Sequence, residues 1–238
     1  MALEKTRIRF DRFELIHKLG GGGIADLYKA IDTETNRTVM LRILSQACSQ
    51  NPRIQQIYEE IRDPEFRRVE DPNILRLIGC GECRNRYYFA FEYFDGETLG
   101  QRLARGRMSV EEGLSLLRQV AEALRGVHQH KLVHGDIKPA SIYIGQDRRN
   151  QFIAKLSMFD LALTGPEAMV SIYGELVGTP KYMSPEQIEG RHVGPRSDIF
   201  SLGIVAYEIF GGREPFKVQS QLGYLRANCE RDAAPLAA

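Results

Sequence analysis

Residues 19–30 read LGGGGIADLYKA, from Leu19 to Ala30, and set four consecutive glycines, Gly20 to Gly23, between two strand-like runs. The first run, residues 13–19, and the second, 25–32, are rich in β-branched and aromatic residues. A third follows at 38–44, beyond the polar turn Thr33-Glu34-Thr35-Asn36. This β-meander argues against a dinucleotide-binding turn, in which the glycines join a strand to a helix. Two readings of the glycines stay open on this ground alone: a flexible hairpin turn, or a loop whose backbone comes close to nucleotide phosphates.

Beyond the meander, Asn51-Pro52 offers a helix cap with proline in the first turn, and Ile54, Ile57 and Ile61 follow at helical spacing. Pro64 should stop that helix at Arg62 or Asp63, because an internal proline costs about 3 kcal/mol. Two further runs, 74–78 and 87–94, complete an antiparallel sheet of about five strands. After Gly96 the period becomes helical. Ser109-Val110-Glu111-Glu112 is a capping box, and Val110, Leu114, Leu117, Ala121, Leu124 and His128 are expected on one buried stripe. Ser184-Pro185-Glu186-Gln187 is a second capping box, and residues 199–210, apolar nearly all round, predict a buried central helix. A sheet lobe therefore precedes a helical lobe.

At 238 residues the chain can bury an ample core. With 32 Lys+Arg against 31 Asp+Glu the net charge is +1, which disfavours nucleic acid or an anionic membrane as partner. Four cysteines, and a charged start, ALEKTRIRF, after Met1, point to a reducing, cytoplasmic setting. The longest apolar run, 199–210, is too short to cross a membrane and carries Glu208.

Five motifs then recur in order: Val39-Met40-Leu41-Arg42 on the third strand, HGDIKPAS at 134–141, KLSMFDLA at 155–162, GTPKYMSPEQ at 178–187 and SDIFSLGIVAYEIFGG at 197–212. Their order and spacing resemble the protein kinase family, most closely its bacterial Ser/Thr branch, over about residues 13 to 228. The resemblance implies an α+β bilobal fold: an extension at 1–12, a sheet lobe with one helix at 13–94, and a mainly helical lobe at 95–238 that lacks the family's last helices. It also assigns roles. Asp136 matches the catalytic aspartate and Lys138 its neighbour, while the phosphate-gripping lysine is Arg42, the metal-binding asparagine is Ser141 and the metal-binding aspartate is Met158. No metal site is expected, since a thioether offers a hard cation almost nothing. Asp160 is two residues out of register and does not replace Met158.

In the same comparison Gly20, Gly22, Arg42, Glu92 and Tyr93 outline the family's nucleotide cleft. Met40 and Tyr143 stand where smaller or slenderer side chains would clamp adenine, and Phe91, just before the hinge Glu92-Tyr93-Phe94, adds bulk, so the cleft is expected to be filled from within. The helix glutamate that would pair with the strand lysine falls at Arg62, with Glu59 or Glu60 as substitutes if the helix slips by a turn. His134, Phe159 and Asp198 keep the family's packed column. Gly135 replaces an arginine that often pairs with a phosphorylated loop, which leaves Thr164, Ser171, Tyr173 and Thr179 without that charge partner.

The remaining features read as structural. Cys80-Gly81-Glu82-Cys83 is a tight turn, His17, His128, His130 and His192 form no ligand cluster, and the basic run 102–107 is a solvated helix end. The expectation is a pseudokinase that signals through protein partners, with no cofactor. Its rivals are an active Ser/Thr kinase using non-standard residues and a sensor that binds ATP without Mg²⁺.

Overall fold

The computed structural model describes residues 8–62, 70–157 and 179–236. The chain divides into two compact units: one holds the residues up to Glu70 together with Leu75–Phe94, the other Asp71–Ile74 together with everything from Asp95 onward.

The first unit is an antiparallel sheet of β1 (Ile8–Phe10), β2 (Phe13–Gly21), β3 (Ala25–Asp32), β4 (Arg37–Leu44), β5 (Leu77–Cys83) and β6 (Arg86–Glu92), in the order β1-β2-β3-β4-β6-β5. It has six strands, not five. The extra one, β1, is three residues long and too short to show as a periodic run. Alternation along β4 sends Val39, Leu41 and Ile43 to one face, where they join Phe10, Phe13, Ala30, Tyr88 and Ala90 in the core. Phe10 and Phe13 meet the Tyr88 ring edge-on at 5.9 and 5.3 Å. Burying each large apolar side chain in that cluster contributes about 2 kcal/mol. Tyr88 crosses the sheet so that its hydroxyl donates to the Asp11 carboxylate, which explains Gly81: a Cβ there would lie 2.3 Å from the Tyr88 oxygen.

The opposite face carries Met40, Arg42, Phe89 and Phe91, with two helices, α1 (Gln46–Ser49) and α2 (Pro52–Arg62), in the same unit. Tyr58 of α2 stacks on Tyr87 at 4.1 Å, and Ile54 and Ile61 are buried one turn to either side. The run 74–78 is not a strand from its start: Ile74 makes an isolated parallel bridge to Leu156, and β5 begins only at Leu77. Cys80 to Cys83 is not the tight turn expected: the four residues end β5, and the turn itself runs through Arg84 and Asn85, both at positive φ. Three residues apart on one strand, the two cysteines point to opposite faces and do not converge.

The second unit holds a small sheet, β7 (Gly96–Thr98), β8 (Ile142–Gln146) and β9 (Phe152–Leu156), and the helices α3 (Leu99–Ala104), α4 (Val110–Gln129), α5 (Pro185–Ile188), α6 (Pro195–Gly211) and α7 (Gln221–Glu230). Both expected capping boxes form. Ser109 Oγ accepts from Glu112 N at 3.1 Å while the Glu112 carboxylate accepts from Ser109 N, and Ser184 and Gln187 pair in the same way. The buried stripe of α4 is not the expected one. Val110 and Leu114 are 67 % and 57 % exposed, whereas Gly113, Leu116, Val120, Ala123, Leu124 and Val127 are buried. Gly113 sets that phase, because a Cβ there would sit 2.7 Å from Ile209 of α6. Helix α6 is buried along most of its length, although Ile199 is exposed. Its C-terminus closes on Gly212 at φ 60°, beside Arg107, whose guanidinium donates to the Gly211 carbonyl at 3.1 Å. Among the described residues no helix is long and apolar enough to cross a membrane.

Candidate functional site

The expected site residues are divided between the two units. In the first, the hairpin of glycines joins β2 to β3, and Gly22 N donates to Ala25 O at 3.0 Å. None of the four glycines takes a positive φ, and a Cβ at Gly20, Gly22 or Gly23 would meet nothing within 4 Å. At Gly21 it would lie 2.3 Å from Asp26 Oδ1 and 2.8 Å from Lys18 Cε, and would displace that ion pair, itself 2.7 Å long. The turn therefore demands glycine on steric grounds at Gly21 and not at Gly20, Gly22 or Gly23. On the sheet face opposite the core, Met40 and Phe91 are direct cross-strand neighbours on β4 and β6, 2 % and 4 % exposed. Arg42 faces Phe89 one pair further along. Glu92 exchanges bonds with Arg76: its N–H donates to the Arg76 carbonyl at 2.9 Å, and its carboxylate accepts from Arg76 N at 3.2 Å. Tyr93 is fixed by Lys29, whose ammonium donates to the phenol oxygen at 3.0 Å and lies 4.2 Å from the ring centroid. Glu59 pairs with Arg62 at 3.6 Å on the exposed side of α2. The side chain of Glu60 lies outside the described residues.

The second unit gathers Asp136, Lys138, Ser141, His134 and Asp198. Asp198 of α6 is fully buried, and its carboxylate accepts from His134 N at 2.9 Å, from Gly135 N at 2.7 Å and lies 2.7 Å from His128 Nε2. His134 in turn contacts the Ser157 carbonyl through Nε2 at 2.8 Å and takes the Asp136 N–H on Nδ1 at 3.2 Å, so the proton belongs on Nε2. Asp136 ion-pairs with Lys138. The Ser141 hydroxyl, 2 % exposed, is used locally: it donates to the Lys138 carbonyl at 2.9 Å and accepts from Lys138 N at 3.0 Å. Tyr143 sits on β8 between Thr98 and Lys155. Met158, Phe159 and Asp160, with Thr164, Ser171 and Tyr173, lie outside the described residues.

Downstream, a 3₁₀ turn, Pro180–Tyr182, is held from two sides. Asn228 of α7 reaches the carbonyls of Pro180, Lys181 and Met183 at 3.1, 3.3 and 2.8 Å. Lys181 ion-pairs with Glu208 and, at 2.9 Å, with Glu214. Burial alone would push the Glu214 carboxyl up, but hydrogen bonds from Lys181 and Tyr224 outweigh it and hold the group below the usual carboxylate range. The Tyr224 phenol, hydrogen-bonded to Glu214, is pushed up to about 12. The Glu186 carboxylate accepts from the Ser197 hydroxyl.

Two residues that hold this region were read from sequence only as a cap and as a scattered histidine. Gln187 donates from Nε2 to the Gly135 carbonyl at 2.7 Å, and His128 contacts Asp198. For Gln187 the available signal was its place at the third helical position, which names the cap and not the distant carbonyl.

The family model of the protein kinase domain matches residues 13–234. The chain is 32 % identical over 229 residues to the serine/threonine-protein kinase pkn2 of Myxococcus xanthus, covering 94 % of this chain and 27 % of that protein. It is 32 % identical over 211 residues to the serine/threonine-protein kinase PrkC of Bacillus subtilis, covering 88 % of this chain and 32 % of that protein. It therefore spans about a third or less of the length of these relatives. Among solved structures, the PknI kinase domain of Mycobacterium tuberculosis superposes with a TM-score of 0.71 at 22 % identity, covering 93 % of this chain and 86 % of that one, a likeness of fold. With the buried Asp198 clamp, the Asp136–Lys138 pair and the sheet-then-helix order already in place, the chain belongs to the protein kinase family.

Proposed function

We propose that this kinase-like domain does not transfer phosphate by the family's standard chemistry and works as a protein-interaction or regulatory module. The observation that carries the reading is the state of Ser141. Its proton is given to the Lys138 carbonyl and one of its two lone pairs already accepts from Lys138 N, which leaves a single uncharged lone pair for a cation that sheds water reluctantly. The other metal-binding position is Met158, a soft thioether, so the donor set does not fit Mg²⁺. Met40 and Phe91, both buried on one sheet face, support an adenine seat taken by side chains. Asp136, paired with Lys138, then serves to hold the loop.

The glycine hairpin favours a second reading, a sensor that binds nucleotide without metal. Gly20, Gly22 and Gly23 answer no strain or crowding in the chain itself, and their open backbone suits a close-approaching ligand. Thermal unfolding with ATP, with and without Mg²⁺ or Mn²⁺, separates the readings. A ligand at about a hundred times its dissociation constant stabilises by about 2.7 kcal/mol. No shift is expected for the interaction module, and a shift independent of metal for the sensor. A metal-dependent shift, with phosphotransfer that Asp136→Asn abolishes, would sink both.

A further inference from the structure

We infer that Gln187 is a positioning residue that fixes the catalytic-loop backbone from the far side, in place of any phosphorylated side chain. Gln187 is 8 % exposed and its amide is divided between two tasks. Oε1 accepts from Ser184 N at 3.0 Å and Ser184 Oγ at 3.1 Å, completing the cap of α5, while Nε2 donates to Gly135 O at 2.7 Å. Gly135 is buried at φ 71°, and its N–H is held by Asp198 at 2.7 Å. The residue just before Asp136 is thus clamped at both polar groups: its N–H by the central helix, its carbonyl by the segment that follows the GTPKYM stretch.

Glycine is where a peptide plane turns most freely, so the bond to the carbonyl of residue 135 adds to the His134 bond on the Asp136 N–H in fixing the plane that leads into Asp136. At Gly135 there is no cation to recruit a phosphate, and the Gln187 amide supplies a neutral, permanent link from the same direction of the chain. This deepens the proposed function by naming how the same site is regulated: its loop is set constitutively.

The test is amide hydrogen exchange across residues 134–137, with no reliance on catalysis. Gln187→Glu keeps the oxygens that cap α5 but turns the donor into an acceptor facing Gly135 O; Gln187→Met removes the donor without adding charge. Ser184→Ala, as control, weakens the cap and leaves the donor. At pH 7 both Gln187 variants should exchange the Gly135 and Asp136 amides about fivefold faster or more than the wild type. In Gln187→Glu, measured against wild type at each pH, the excess should shrink as pH falls into the range where the acid regains a proton to donate, which burial and the facing carbonyl place above the ordinary carboxylate value, and in Gln187→Met it should persist. Wild-type exchange rates in both variants, or an equal loosening in Ser184→Ala, would overturn the inference. Detection of phosphotransfer would sink the proposed function and leave this result standing.

Discussion

Met40 occupies a position where its neighbours leave no room: it is 2 % exposed and directly opposite Phe91. Truncation to alanine removes three heavy atoms from a packed surface and should cost about 2–5 kcal/mol. If Met40 also occupies the seat of the adenine ring, Met40→Ala should show a nucleotide-dependent rise in melting temperature that the wild type lacks, measured by the same thermal titration. A less stable variant that stays indifferent to ATP would separate packing from exclusion. The size of Met40 was legible in the sequence, as was the loss of an amide at Ser141. The bonds that Ser141 makes were not, because they run to Lys138 backbone atoms, which have no letter. Gly135 shows the same limit: read by its letter it is a missing guanidinium, whereas in the fold it is a left-handed backbone position that suits glycine.

Helix ends were legible because a cap is a local event, complete within four residues. Ser109→Ala should cost about 1 kcal/mol through loss of the bond to Glu112 N, read as a lower melting temperature. Gly212→Ala should cost more than a cap, about 2 kcal/mol, because alanine is strained at φ 60° and its Cβ would lie 2.4 Å from Arg107 Nε. Adding Arg107→Ala to that variant should recover only the steric part, which a double-mutant cycle measures. Helix faces were less legible. The stripe of α4 came out of phase because hydropathy passes over Gly113, whereas packing selects it: the closest approach to α6 is where a side chain is missing. The strand expected at 74–78 begins only at Leu77 for a related reason. Ile74 is as apolar as any strand residue, but Asn73 before it is tied to Gln119 and to the Ala154 carbonyl, each at 2.8 Å, and Ile74 itself bridges Leu156.

Taken whole, the chain has a net charge of +1 at pH 7, but acid neutralises its 31 Asp+Glu and leaves 32 Lys+Arg, so general repulsion grows as pH falls and held carboxyls add to it. Glu186 and Glu214 both sit below the ordinary carboxylate range in the fold, through bonds from Ser197 and from Lys181 with Tyr224 that outweigh burial. A depressed folded value means the stabilisation is fully present above the unfolded value of about 4.3 and is lost as pH falls through the folded one. Melting temperature should therefore drop on the acid side of that window, and Glu214→Gln should be less stable than wild type at pH 7 and less sensitive to pH below 4.3. Equal acid limbs for the two proteins would remove Glu214 from the account. The division into a sheet unit and a helical unit follows from a change of period after Gly96, whereas the six-stranded order and the small β7–β9 sheet needed coordinates.

The carboxylate of Asp198 deserves a last thought as a matter of heredity. Two of the groups it grips are peptide nitrogens, which every substitution except proline preserves. A loop anchored that way keeps its outline whatever side chains it carries, so its shape and its chemistry are free to change independently.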